Sequence, residues 1–263
     1  MAHTDDEGVC HICGKQGKMS FEHIPPRSVG NTQRSKAYSV VEIAENTGRL
    51  DSTAREGIHY QQQQQGSGFA TLCSECNSYL GRHYVNEYKD FFLATSAVLV
   101  NEQKQDGAMG IHLETGKANV LALFKHAVSN FCATTQPGTM LDFREFLLDK
   151  ESNDFPSRYR LYMYAVPDSG SGLITTGWMR LFTSSDFRFY YTVAHVALFP
   201  VGFALLDMDY STSIPNGLGC DVTAMSQRPW GERPQFAVDL PYMTLTHAIP
   251  SQILKSGNDS NII

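Results

Sequence analysis

Helical spacing of apolar residues dominates the first half of the chain, and strict alternation dominates the second. Residues 77–102 are predicted to form a helix, because Asn77, Gly81, Tyr84, Tyr88 and Phe91 recur at steps of four and three along one stripe. Gly81 on that stripe predicts a close backbone approach to whatever the helix packs on. A second helix is predicted over 117–132 through Leu121, Leu123, Phe124 and Val128. A third, over 141–150, would bury Phe143, Phe146 and Leu147. Ahead of these helices, residues 19–24 read as a short strand stopped by Pro25 and Pro26, neither of which can donate to a sheet ladder. Residues 109–114 read as another strand, and 61–68 as a flexible polar loop or an edge strand.

From Arg158 onward the period becomes two. Residues 159–164 alternate, 175–183 form another predicted strand, and 186–209 two more, with turn residues at 168–172 and 184–185. The aromatic density here (Trp178, Phe187, Phe189, Tyr190, Tyr191, Phe199, Phe203) suits the core of an antiparallel sheet better than a ligand or nucleic-acid platform. A composition shift at 152–156 is the best candidate boundary. The expected fold class is α+β. A compact module over 1–105 is followed by a helical connector over 106–152 and a β-rich, mostly antiparallel region over 153–263, ending in a frayed tail.

Composition narrows the class. With 42% hydrophobic and 18% charged residues over 263 positions, the chain is globular rather than disordered. The N-terminus is polar and acidic, and no apolar run approaches the length needed to span a bilayer; the longest, 194–206, is broken by Pro200 and Gly202. A cytoplasmic protein with no membrane partner is therefore expected. The net charge of −6 means that any contact with nucleic acid must come from a local basic patch. Arg27, Arg34, Lys36, Arg49 and Arg55 give 27–65 a basic lean, largely offset by Glu42, Glu45, Asp51 and Glu56. Phosphate contact and an ordinary solvated face are equally served by that pattern. No phosphate-binding glycine loop, dinucleotide fingerprint, serine elbow or internal repeat is present.

The chemistry concentrates near the first knuckle of cysteines. Cys10-His11-Ile12-Cys13 and Cys73-Ser74-Glu75-Cys76 are two C-x-x-C pairs, the spacing at which four thiolates converge on one tetrahedral zinc. A four-thiolate site has no open position, so this zinc would be structural. Cys132 and Cys220 are left over, and His11 is expected to face solvent. Beside the knuckles stand Glu22, His23 and Asn77: a carboxylate, an imidazole and a carboxamide stapled together by the metal.

On Cys10–Cys13, Glu22-His23 and Cys73–Cys76-Asn77 the first third of the chain resembles the HNH endonuclease family, a β-hairpin and helix around one divalent ion, often braced by such a zinc ribbon. The resemblance implies an endonuclease that hydrolyses phosphodiester bonds with Mg²⁺ or Mn²⁺, with DNA the default substrate and RNA left open. It makes His23 the general base, and Glu22 and Asn77 the ligands of the catalytic ion. Arg27, Arg82 and His83 become the candidates for substrate contact, with Arg82 preferred for the scissile phosphate. The family's middle asparagine is missing from 66–72, and Asn31 or Asn46 are the residues that could replace it. A zinc-ribbon module that binds nucleic acid or protein without cutting is the alternative. Homo-oligomerisation through the C-terminal region and a role in bacterial defence are further expectations of association alone.

Overall fold

In the computed structural model the described residues are 7–38, 42, 57–102, 109–167, 173–183, 186–244 and 251–252. The N-terminal part builds one antiparallel three-stranded sheet from β1 (Glu7–Val9), β2 (Gln16–His23) and a later strand, β5 (Gly68–Cys73), in the order β1-β2-β5. Between β2 and β5 a two-stranded ribbon pairs β3 (Ser35–Tyr38) with β4 (Tyr60–Gln63). Two helices follow directly, α1 (Ser74–His83) and α2 (Val85–Glu102), and then β6 (Gly110–Lys117) and α3 (Val120–Thr134). A 3₁₀ turn, Leu141–Phe143, leads into the short α4 (Arg144–Leu148).

The C-terminal part is a six-stranded sheet. Its strands are β7 (Tyr159–Ala165), β8 (Ile174–Thr175), β9 (Met179–Phe182), β10 (Tyr190–Leu198), β11 (Val201–Asp207) and β12 (Cys220–Asp221). The order is β12-β7-β11-β10-β8, with β9 also pairing β10, and every pairing is antiparallel. The last long strand, β13 (Gln235–Pro241), returns to pair with β6. The mixed α+β class with mostly antiparallel sheets is as expected. No helix among the described residues is long and apolar enough to cross a membrane.

Helix α3 sits at the centre. Every residue from Val120 to Ala133 is buried, far more than the one stripe that the periodicity singles out. A helix buried on every face is one wrapped by protein on all sides. Phe124, Phe131 and the leucines at 121 and 123 are each at or near zero exposure, and each stabilises by roughly 1.5–3 kcal/mol on burial. The helix begins three residues later than the pattern suggests because Asn119 caps it, its side-chain oxygen accepting from the Ala122 N–H at 3.0 Å. Around α3 one continuous core takes Cys10, Leu72 and Tyr84 from the first segment, Phe143 and Phe146 from the connector, and Leu161, Val196 and Phe203 from the sheet. The three segments divided at 105 and 152 thus share side chains in a single core.

The helix predicted over 77–102 is two helices. They part at Tyr84, which is wholly buried and donates its hydroxyl to the Leu147 carbonyl at 2.7 Å. Anchoring that ring in the core turns the chain, so the stripe is not continuous. Gly81 consequently lies in the open: a Cβ there would meet nothing within 4 Å, and the predicted close approach does not occur. The strand predicted over 175–183 is likewise two short strands, β8 and β9.

Candidate metal and catalytic site

The cysteine cluster forms where three pieces of backbone meet. Cys10 follows β1, and Cys13 lies in the turn before β2, closed by Gly14 N–H to Cys10 O at 2.9 Å. Cys73 ends β5 and stands at the N-cap of α1, and Cys76 falls in the first turn of that helix. The four sulfurs all lie within 4.8 Å of one another, and no disulfide joins them. The Cys13 and Cys73 sulfurs are 3.8 Å apart, about the spacing of two thiolates each 2.3 Å from a tetrahedral zinc. Hydrogen bonding from Cys76 draws the Cys10 thiol down to about 4, and the same contact pushes Cys76 up. Crowded sulfurs that compete for protons in this way are what a divalent cation resolves. The four residues are thus close enough to bind a metal ion such as zinc.

His11, expected to face solvent, is buried instead. Its Nδ1 bonds the Cys132 carbonyl at 2.9 Å, and Thr71 Oγ1 donates to the Ala133 carbonyl at 2.8 Å. Carbonyls in the last turn of a helix have no intrahelical partner, so the knuckle and β5 together cap α3. The cysteine cluster is docked onto the central helix by this pair of bonds.

Beside the cluster, β2, β5 and α1 make a hairpin followed by a helix. The β2–β5 register shifts between Ser20 and Glu22, an irregularity of the kind that re-aims side chains. Asn77, in the first turn of α1, reaches back to β2, where its Nδ2 donates to Ser20 Oγ at 3.1 Å and to the Phe21 carbonyl at 3.2 Å. With the amide nitrogen so engaged, Oδ1 is the atom left to serve as a ligand. Burial raises the Glu22 carboxyl to about 7, a hydrogen bond from Asn77 offsetting part of the effect. Glu22 has no cationic side chain paired with it among the described residues. A desolvated carboxylate beside a carboxamide side chain supplies the kind of oxygen donors that a hard cation such as Mg²⁺ takes.

His23 ends β2, as the sequence suggests. Its Nε2 donates to the Gln65 carbonyl at 3.0 Å, which leaves the Nδ1 lone pair as the basic nitrogen of the neutral ring. The segment carrying Gln65 is itself held by Asn31. Asn31 Nδ2 donates to the carbonyls of Pro25 and Ser67, both at 2.7 Å, and its Oδ1 accepts from the Ser67 N–H at 2.8 Å. One side chain therefore ties the chain just after His23 to the chain just after Gln65. Asn31 braces the loop at the base, and Asn46 lies outside the described residues. The glycines at 66 and 68, read as slack in the sequence, are required by this closure. A Cβ on Gly66 would collide with the Asn31 backbone, and one on Gly68 with the Glu22 carbonyl.

The remaining candidates are more scattered. Arg27 is exposed and opens the 3₁₀ turn Arg27–Val29 directly after Pro26, close in sequence to His23. Arg82 is exposed on α1, five residues beyond Asn77 and so about 140° round the helix. His83 is half-buried, its ring 4.5 Å from Tyr79 and 6.5 Å from Trp230, with its basicity lowered by burial and by Lys150 and Arg82. Glu22 and His23 adjoin at the end of β2 and Asn77 reaches back to that strand from α1, whereas Arg82 and His83 lie on other sides of α1. Lys36 is exposed with its Nζ 4.2 Å from the Tyr60 ring, while Arg49 and Arg55 lie outside the described residues. Compared with family models, curated proteins and solved structures, the chain finds no match.

Proposed function

We propose that the chain is a metal-dependent endonuclease of the HNH kind, hydrolysing phosphodiester bonds in nucleic acid, with DNA as the substrate. The observation that carries this reading is the convergence of Glu22, His23 and Asn77 on a hairpin–helix unit stapled by four cysteines. Cys10, Cys13, Cys73 and Cys76 hold a structural zinc in this account, and Glu22 and Asn77 Oδ1 hold Mg²⁺ or Mn²⁺. That ion, when bound, supplies charge stabilisation for the phosphoryl group and the leaving oxygen. His23 Nδ1 takes the proton from the attacking water, while its Nε2–H stays on the Gln65 carbonyl and fixes the tautomer. Asn31 holds that carbonyl in place through Ser67, so the base cannot swing away from its water. Arg27, exposed and four residues beyond His23, contacts a phosphate flanking the scissile one in this account.

Plasmid nicking by purified protein with Mg²⁺, Mn²⁺ or no added divalent ion tests the proposal. Wild type should cut only with the added ion. His23→Ala should lose about 10²–10⁴-fold in rate with unchanged zinc content and melting temperature. Wild-type protein that binds DNA but cuts nothing whichever divalent ion is added, with His23→Ala binding equally well, would defeat the enzyme reading and leave a zinc-stabilised binding module in its place.

A further inference from the structure

The C-terminal sheet carries aromatic residues of two kinds, and the structure separates them. Phe203 is buried against the core, whereas Phe182, Phe187 and Phe189 are 49%, 66% and 52% exposed. These three belong to the β9–β10 hairpin, whose turn is closed by the Thr183 N–H to the Phe189 carbonyl at 2.8 Å. Alternation places Arg180 and Phe182 on one face of β9, and the register sets Tyr190 opposite Phe182. Leu181 and Tyr191 point the other way, into the second apolar cluster of the sheet. One face of the hairpin thus holds Phe182 5.0 Å from Phe187 and 5.9 Å from Tyr190, with the Arg180 guanidinium 4.7 Å from the Tyr190 ring.

Two features set this patch apart from incidental exposure. Phe187 has φ 58, a left-handed conformation that a bulky side chain rarely adopts. The chain holds it there although two thirds of the residue is in solvent, so burial does not compensate for the strain. The charge is also of one kind where it is free. Arg188 pairs with Asp186 at 3.2 Å, but Arg180 has no carboxylate partner among the described residues, in a chain whose net charge is −6. Exposed rings interleaved with arginine are the surface on which unpaired bases stack while the guanidinium meets the phosphate backbone.

We infer that the β9–β10 hairpin is a stacking platform for single-stranded nucleic acid, built from Phe182, Phe187 and Tyr190 with Arg180 as its phosphate contact. This rests on the nuclease reading for its substrate class and deepens it: the protein holds an unpaired strand, without sequence preference, on a surface that shares no residue with the His23 site. The three rings are inclined to one another, Phe182 at 83° to Phe187 and 59° to Tyr190, so each offers its own face; because every base has a π-face, discrimination among sequences is not expected.

Fluorescence anisotropy of a labelled 20-nucleotide oligothymidine against full-length protein, without added divalent ion, provides the test. Wild type should bind the single strand more tightly than a duplex of equal length. Phe182→Ala and Phe187→Gly should each weaken single-strand binding about tenfold. Phe187→Gly relieves the left-handed strain, so its melting temperature should hold or rise, and lost binding cannot be put down to misfolding. Arg180→Gln should flatten the salt dependence of binding. Variants that bind the strand as wild type does would overturn the platform. So would variants that keep binding but lose self-association in sedimentation, which would make the hairpin a contact between two copies. Plasmid nicking run in parallel separates the two proposals. Cutting with hairpin-independent binding removes the platform alone, and hairpin-dependent binding without cutting removes only the nuclease.

Discussion

Acid should destabilise this protein through two histidines buried in its interior. His126 on α3 and His195 on β10 are both 1% exposed. Among the described residues neither nitrogen of His126 has a hydrogen-bond partner, nor does Nε2 of His195. His126 packs against Tyr88, ring centroids 4.5 Å apart, and the Tyr164 hydroxyl lies 3.4 Å from His195 Nδ1. Burial lowers His126 to about 3 and His195 to about 4 from an ordinary value near 6.5. The folded state therefore keeps both neutral through a range in which the unfolded chain protonates them. Stability is complete above about pH 6.5 and falls as the pH drops toward the folded values. Between pH 7.5 and 5.0 the unfolded state gains about 1.5 pH units of protonation per histidine, or about 2 kcal/mol each. Urea unfolding of wild type and His126→Leu at both pH values isolates one of them. Contributions from Glu22 and the cysteines are common to both proteins and cancel in the difference. His126→Leu should lose about 2 kcal/mol less than wild type on acidification, and its melting temperature should fall by roughly 4–8 °C less. Because leucine removes two unsatisfied nitrogens, the variant should also be no less stable at pH 7.5. Equal acid losses in the two proteins would refute the burial argument.

Other perturbations probe the site directly. Cys73→Ser should release the metal and unfold the β1-β2-β5 unit with the cap of α3, seen as loss of bound zinc in metal analysis together with lost amide protection at Thr71 and Ala133. Asn31→Ala removes three hydrogen bonds that join Pro25 to Ser67, so amide exchange at Ser67 should rise and nicking should fall at least tenfold with zinc retained. Retained activity with a mobile loop would exclude Asn31 as a brace. If Glu22 holds the proposed divalent ion it must give up its proton to do so, and its raised value of about 7 predicts that Mn²⁺ affinity drops as the pH falls below 7, with proton release on binding measurable by calorimetry. Glu22→Gln should abolish that pH dependence.

The parts of the molecule legible in the sequence were those whose signal is local. Paired cysteines two residues apart announce their convergence by spacing, and Glu22-His23 before Pro25-Pro26 announces the end of a strand. The brace did not, because Asn31 meets Ser67 across 36 positions and any polar side chain in 27–65 could have been drawn there. The one hint was Gly66-Ser67-Gly68, whose glycines mark a close backbone approach and not slack. Total burial of α3 was hidden for a different reason. Lys125, His126, Ser129 and Asn130 break its apolar pattern, yet all four are buried, Lys125 by donating to the carbonyls of Phe146 and Asp149 at 2.6 Å. The break at Tyr84 depends on a single hydroxyl contact with Leu147, 63 residues away, which no periodicity can register. Aromatic density in the C-terminal half gave one pattern for two roles, core for Phe203 and open surface for Phe182 and Phe187.

The clasp made by Asn31 has a consequence for how the chain tolerates change in length. It joins residue 31 to residue 67, and just beyond it β3 and β4 zip the two arms together from Ser35–Gln63 to Tyr38–Tyr60. Tyr38 and Tyr60 thus stand at the far end of a paired stem, with the Asn31 clasp between that stem and the strand end that carries Glu22 and His23. For chain inserted beyond that pair, closure by the stem costs only about 0.6 kcal/mol more per doubling of its length. The stem is therefore a grafting point, where a folded domain with neighbouring termini could be spliced in while the four cysteines and the base of the loop stay as they are.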